Sequence, residues 1–282
     1  MAIAAPGLQS IENEIAWPRE RRLPLPPRLT APGRGSIAKS VIDPELLLRA
    51  YSIGVFPMSE SREAKEVFWV EPRRRAIIPI EAFLLSRSLR KTLRAGTFAV
   101  TRDKAFAEVV RRCAEREETW INADIEASYD HLHELGHAHS IECWREDRLV
   151  GGLYGVRLGA AFFGESMFSL ERDASKVALA WLVARLRVGG FTLLDCQFMT
   201  PHLSSLGAIE VDQQAYLVLL SAALGSAAGG VGEGRGGAAA FGRAFEGGEF
   251  GALDRLLSAD PARTVDSAAS GCVIAQLLGH TS

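Results

Sequence analysis

The sequence predicts an α+β protein: a mixed β-sheet flanked by helices, preceded by a small N-terminal domain. Helical stretches separated by extended segments occupy the chain between about 40 and 136. The apolar period then drops to two in three runs, HSIECWRED, RLVGGLYGV and AAFFGESMF. The short turns Glu146-Asp147-Arg148 and Arg157-Leu158-Gly159 join them, which reads as an antiparallel meander. A helical stretch and a further strand, FTLLDCQF, follow.

Taken in order, IDPELLLRAYSIG is a short helix with Asp43 as N-cap, Pro44 in its first turn and Gly54 past its end. VFPM and FWVEPRRRAIIP are extended segments punctuated by proline. A helix is expected over Glu81 to Arg94, then a strand over Phe98 to Thr101. Asp103 is expected to cap a helix with Phe106, Val109, Val110 and Cys113 on one stripe. Another helix runs from Ala123 to Leu135 and stops at Gly136. After the meander come a helix over Ala174 to Val188 ended by Gly189-Gly190, the strand FTLLDCQF, a short helix HLSSLG, a strand AIEV and a helix opened by Asp212.

The flanks differ in composition. Residues 1–36 are rich in Pro, Arg and Gly and read as a disordered or extended arm; 37–82 form the small N-terminal domain and 83–224 the main one. Residues 225–282 read as a flexible tail, because ten glycines fall within Gly225 to Gly248. No apolar run approaches the roughly 20 residues of a membrane span, and the N-terminus lacks a secretory pattern. Four isolated cysteines with no C-x-x-C pair fit reduced thiols and a cytoplasmic address. The net charge of −2 hides a local imbalance: Arg73 to Arg112 holds eleven basic and three acidic residues. Such a stretch suits phosphates, or is simply two solvated helix faces.

Meander, helix, strand, helix, strand is the order of an acetyltransferase-like (GNAT-type) core. Coenzyme A users present a glycine-containing loop to the pyrophosphate at the helix start. Here that helix opens with SLERDASK, without glycine and with Glu171 and Asp173 in the way. Chemistry is therefore sought elsewhere. Glu165 interrupts an apolar strand just after Gly164, which permits close approach of backbone or ligand. Asp195 and Gln197 share a face by strand period. These three form either an internal hydrogen-bond network or the convergent polar groups of a binding cleft. In HLHELGHAH, His133 and His137 have i, i+4 spacing but Gly136 breaks the helix between them, so no metal site is expected. Trp69 and Trp120 stand near loops, suited to core packing, to walling an apolar pocket or to stacking on a base.

Together, YSIGVFPM, WVEPR, ETWIN, HLHELGHAHSIECWREDRLVGGLYGV, FFGESMFS, ASK, LLDCQF and HLSSLGA resemble the bacterial leucyl/phenylalanyl-tRNA–protein transferases over residues 40 to 215. The resemblance implies transfer of Leu or Phe from aminoacyl-tRNA to the N-terminal Arg or Lys of acceptor proteins, marking them for degradation, with no cofactor or metal. It implies Asp195, Gln197 and Glu165 as catalytic residues, Asp195 polarising the Gln197 amide. Trp69, Trp120, Leu153, Gly164, Leu179 and Leu194 become substrate-binding residues. Arg73, Arg74, Arg75, Arg87, Arg90 and Lys91 become tRNA-binding residues. Val70 and Glu71, where the family often has Trp and then Ser-Pro, and Leu153, where Met also occurs, depart from its pattern. A CoA-dependent N-acyltransferase and a catalytically inactive tRNA or peptide adaptor are the alternatives.

Overall fold

The computed structural model of the chain describes residues 21–23, 41–225, 247–258 and 267–279. Strand β1 (Arg21–Leu23) precedes helix α1 (Pro44–Ser52), which Asp43 caps by accepting the Leu46 N–H at 2.9 Å. Strands β2 (Phe56–Met58) and β3 (Phe68–Glu71) follow, and β1, β3 and β2 make a small antiparallel sheet in that order. Residues 21–23 of the N-terminal arm are thus extended and paired; the rest of 1–36 lies outside the described residues.

Strand β4 (Arg74–Ile78) belongs to the larger sheet, so a domain border at 82 would cut it from its neighbours there, the strands Leu193–Gln197 and Ile209–Asp212. The helix expected over Glu81 to Arg94 is shorter. One 3₁₀ turn covers Ile80–Ala82, and α2 (Arg87–Arg94) starts only after Ser86 accepts the Leu89 N–H. Between them Phe83 is buried and the Leu84 N–H donates to the Leu206 carbonyl, and these interactions hold the segment out of helix. Next come β5 (Ala99–Arg102), α3 (Phe106–Ala114) and α4 (Ala123–Glu134). Asp103 does not cap α3. At φ 58° its carboxylate turns to the strand Ala138–Arg145, where it accepts the Ser140 N–H and meets His139 Nδ1, each at 2.9 Å.

The meander forms as expected: β6 (Ala138–Arg145), β7 (Arg148–Leu158) and β8 (Ala161–Ser169). Helix α5 (Ala174–Val188) crosses back, followed by β9 (Leu193–Gln197), α6 (Pro201–Ser204), β10 (Ile209–Asp212) and α7 (Gln213–Leu224). The seven strands lie in the order β10-β4-β9-β8-β7-β6-β5, and the β8–β9 pair alone is parallel. Helices α1, α3, α4 and α7 with the small sheet cover one face; α2 and α5 cover the other. Gly151 on β7 lets α5 approach, since a Cβ there would sit 2.5 Å from that of Ala174.

The expectation of a flexible tail after 224 fails where the chain is described again. Phe250, helix α8 (Ala252–Ser258) and helix α9 (Ser267–Leu277) pack on the α2–α5 face, burying Phe250, Leu253, Ile274 and Leu278 to 2% exposure or less. Buried Arg185 of α5 supplies the polar reason. It donates to the Phe250 carbonyl at 2.7 Å and to Asp254 at 2.6 and 2.7 Å, partners that a guanidinium out of water requires. The glycine-rich stretch 226–246 lies outside the described residues.

Helix α9 meets α2 through Gly271, where a Cβ would collide with the Leu93 carbonyl oxygen. Gly271→Val is therefore expected to lower unfolding free energy by about 1–3 kcal/mol. Urea denaturation checks this, and an unchanged midpoint would show that α9 is not docked there.

Candidate functional site

The parallel β8–β9 pair is short. Its last register match is Phe163 with Asp195, after which the two strands part. Glu165 and Gln197 each stand two residues beyond that match and face one another across the fork. Two irregularities aim them. Opposite β7, Tyr154 pairs with Ser166 and Gly155 with Gly164, leaving Glu165 as the extra residue of a bulge. Opposite β4, Ala76 pairs with Gln197 and Ile77 with Asp195, leaving Cys196 extra, and Gln197 takes φ 62°. Bulges re-aim side chains and end pairing.

Glu165 is 7% exposed. Its Oε1 accepts from Tyr51 at 2.7 Å and from Gln197 Nε2 at 2.9 Å; its Oε2 accepts from Tyr129 at 2.8 Å. Burial pushes its carboxyl up from 4.5 to about 7 against the opposing pull of these three hydrogen bonds, and nearby Asp195 adds to the rise. Burial also raises the Tyr51 and Tyr129 phenols well above their ordinary value, and the neighbouring Glu165 raises them further.

Asp195 is fully buried and faces a different set. Arg75 grips it through Nε at 2.9 and 3.0 Å and Nη2 at 2.5 Å, and Tyr216 of α7 donates to Oδ2 at 2.8 Å. Its Oδ1 accepts the backbone N–H of Gln197 at 2.8 Å. Asp195 thus steadies the main chain that carries Gln197, while the side-chain amide is held by Glu165. Arg75 donates a further hydrogen bond to the Gly54 carbonyl and lies between the Phe56 and Tyr216 rings. Burial alone would lower its pKa, but the Asp195 carboxylate drives it above the ordinary value.

The structure therefore brings Asp195, Gln197 and Glu165 together and corrects the expectation for Arg75. A guanidinium 1% exposed and locked onto a carboxylate is not open to a phosphate. Arg73, Arg74, Arg87 and Lys91 are exposed and Arg90 half-buried, with Arg74 paired to Glu210 at 3.0 Å. Arg87, Arg90, Lys91 and Arg94 share an open depression along α2 with Leu85 and Ala95. Trp69 and Trp120 are buried in the cluster that holds Tyr51 and Tyr129. Leu153, Leu179 and Leu194 pack on the α5 side of the sheet, away from the polar cluster, beside half-buried Met167, Cys196 and Met199. Gly164 lies at the fork, where an added Cβ would meet the Asp195 carbonyl oxygen at 3.4 Å. The histidines scatter: His133 stacks on Phe106 and bonds the Ala138 carbonyl, His131 meets Glu134 and His139 meets Asp103.

Sequence reasoning misses Tyr51, Tyr129 and Tyr216. Their signal is indirect: a carboxylate inside an apolar strand needs donors, and tyrosines on the buried stripes of neighbouring helices are the residues able to reach it while staying apolar elsewhere.

A family model described as leucyl/phenylalanyl-tRNA protein transferase matches residues 77–221, and one described as its N-terminal domain matches 41–73. Relatives bear the name leucyl/phenylalanyl-tRNA–protein transferase. That of Rhizorhabdus wittichii is 62% identical over 245 residues, 86% of this chain and 99% of its own. That of Novosphingobium aromaticivorans is 54% identical over 270 residues, 87% of this chain and 99% of its own. The solved structure of FemX overlaps 62% of this chain and 71% of its own at 14% identity, with a TM-score of 0.39.

Two outcomes follow from the cluster. Arg75→Met leaves Asp195 buried without its cation and is expected to cost about 3–5 kcal/mol of unfolding free energy. If guanidinium unfolding shows a loss under about 1 kcal/mol, the pair is not the buried anchor described. Glu165 binds its proton more tightly folded than unfolded, so its contribution to stability falls as pH rises from 4.5 to about 7. Relative to Glu165→Gln, the wild type should lose up to about 3 kcal/mol across that window. Parallel stability–pH curves for the two proteins would refute this.

Proposed function

The chain belongs to the leucyl/phenylalanyl-tRNA protein transferase family, and from that premise we propose how its forked sheet performs the family's reaction. It is an aminoacyltransferase that moves Leu or Phe from aminoacyl-tRNA to the N-terminus of a protein. In the proposed reading the acceptors begin with Arg or Lys, the reaction runs in the cytoplasm where aminoacyl-tRNA is made, and the transfer marks the acceptor for degradation. The core is of the acetyltransferase-like (GNAT) type, a reading supported by the meander, the crossover helix and the parallel pair that ends early.

The observation that carries the mechanism is the hydrogen bond from Gln197 Nε2 to Glu165 Oε1 at the fork. It fixes the amide plane, and among the described residues nothing donates to Gln197 Oε1. An acceptor amine placed there donates one N–H to Gln197 Oε1 and points its lone pair at the ester carbonyl of the aminoacyl-tRNA. A terminal amine has an ordinary pKa of about 7.7–8.0, so much of it is neutral near pH 7 and orientation contributes more than strong base catalysis. Gln197 is the residue that touches the nucleophile. Asp195 positions it through the backbone N–H, and the grip of Arg75 on both carboxylate oxygens keeps Asp195 in place. Attack gives a tetrahedral oxyanion, and its collapse expels the ribose hydroxyl of the terminal adenosine.

The aminoacyl side chain passes through the fork to the α5 side. In this reading Leu153, Leu179 and Leu194, buried on that side, take up the aminoacyl side chain together with half-buried Met167, Cys196 and Met199. An apolar pocket of this kind selects Leu or Phe by burial. Gly164 leaves room at the fork, and Trp69 and Trp120 back the adenosine end. Arg73, Arg87, Arg90 and Lys91 remain for acceptor-stem phosphates, with Arg94 beside them in the α2 depression.

The test offers labelled Leu-tRNA and Phe-tRNA with peptides beginning in Arg, Lys or Met. Label should appear on the Arg and Lys peptides; its absence from both sinks the proposal, and equal labelling of the Met peptide removes the acceptor preference. Gln197→Ala should slow transfer by about 10²-fold with tRNA affinity unchanged, and a collapse of affinity would make the residue structural. Replacing Arg87, Arg90 and Lys91 by Ala together should weaken tRNA binding and reduce its salt slope by roughly one for each phosphate no longer neutralised. An unaltered slope excludes α2 from the tRNA interface.

A further inference from the structure

Three oxygen-to-oxygen contacts close a ring at the fork. Tyr51 Oη lies 2.7 Å from Glu165 Oε1, Tyr129 Oη lies 2.8 Å from Oε2, and the two phenol oxygens are 2.6 Å apart. Contacts of that length each hold a proton, and two phenols bring only two. With Glu165 ionised, both phenols donate to it and the Tyr51–Tyr129 contact sets lone pair against lone pair. With Glu165 protonated the count closes. Glu165 Oε2–H donates to Tyr129, Tyr129 donates to Tyr51, and Tyr51 donates to Oε1, which still accepts from Gln197 Nε2.

The charges around the ring point the same way. Glu165 is faced by Tyr51 from α1, Tyr129 from α4, Tyr154 from β7, Asp195 and Gln197 from β9, and Arg75 from β4. Arg75 is the cation of that set, and its Nε and Nη2 are committed to Asp195. An ionised Glu165 would thus be a second buried carboxylate with no cation of its own, which is costly. Burial accordingly lifts it to about 7.

We propose that Glu165 is a neutral carboxylic acid before an acceptor binds, its proton held in a closed ring with Tyr51 and Tyr129, and that a cationic acceptor N-terminus displaces this proton on binding. Tyr51 and Tyr129 are positioning residues for it. The inference rests on the acceptor chemistry of the proposed function. Its proton balance is simple: Glu165 acid and an ammonium from solution become a carboxylate–ammonium pair in the site, and one proton enters the solvent. The carboxylate then takes one proton from the ammonium, which restores the neutral ring and leaves the amine lone pair free to attack the ester. Because the two groups have similar acidities, that second transfer is nearly level in free energy.

Isotope-edited infrared difference spectroscopy on the full chain reads the acid form directly. At about pH 6, between the ordinary carboxylate value of about 4.3 and about 7, the wild type should show a neutral carboxyl band that Glu165→Gln lacks. Tyr51→Phe removes a hydrogen bond from Oε1 and should move that band to higher wavenumber, which a merely structural tyrosine would not do. A peptide beginning with Arg should weaken the band, and calorimetry in buffers of different ionisation enthalpy should count about one proton released per peptide at that pH. Absence of the band at about pH 6, or binding without proton release, overturns the inference. Transfer from Leu-tRNA measured on the same protein separates it from the proposed function. Active protein with an ionised Glu165 overturns the ring alone; a neutral Glu165 with no transfer supports the ring and overturns the function.

Discussion

Asp195 lies where water does not reach, and the Arg75 guanidinium against it is the constraint that the surrounding structure serves. The pair joins β4 to β9, residues 120 positions apart in sequence. Its remaining hydrogen-bonding groups recruit Gly54 after α1, Tyr216 on α7 and the Gln197 backbone. A buried ion pair is a weak source of stability, because desolvation offsets much of the attraction. Its value here is geometric. Held by these hydrogen bonds, β4, β9, α7 and the end of α1 have one arrangement relative to one another, and Gln197 inherits that arrangement through a single N–H.

From that anchor the fork follows. β9 is held on its β4 side through Gln197, while on its β8 side pairing stops at Asp195. The bulges on β8 and β9 fall on opposite sides of the gap and turn Glu165 and Gln197 toward each other, although a strict period of two would carry the strands onward side by side. Phe163 and Phe168 show the same break: they pack in one cluster although strand parity would put them on opposite faces. The opening that results has polar groups on one side of the sheet and apolar residues on the other. That asymmetry suits a reaction joining a polar amine to an apolar aminoacyl group.

Much of this is legible in the amino-acid order. The meander, the crossover helix and the caps at Asp43 and Asp212 are local, and local patterns carry them. Glu165, Asp195 and Gln197 stand out because each is a polar residue in an apolar strand. Arg75 is hidden for the opposite reason. Within RRR only strand parity and a partner far along the chain decide which guanidinium is buried, and counting charge treats all three alike. Asp103 resembles a cap because it precedes a helical stripe, yet its carboxylate prefers the β6 backbone. The glycines after 224 conceal Phe250, Leu253, Ile274 and Leu278, whose burial depends on a surface that only the folded α2 and α5 create.

The two carboxylates of the fork also explain why the site carries both. Environment, not residue type, separates them. Asp195 has a guanidinium and a phenol and gives its remaining oxygen capacity to a backbone N–H, so it is electrically complete before any substrate arrives. Glu165 has two phenols and an amide, all neutral, so a charge on it would have no fixed counterpart. A cluster built this way has room for one positive charge, at the position where an acceptor N-terminus would meet Gln197. Were both carboxylates paired to arginines, the fork would hold the same shape with no electrostatic reason to admit an ammonium. Were neither paired, the strand carrying Gln197 would lose its anchor. In the proposed mechanism, the fork therefore admits an ammonium because one of its two buried acids is left without a cation.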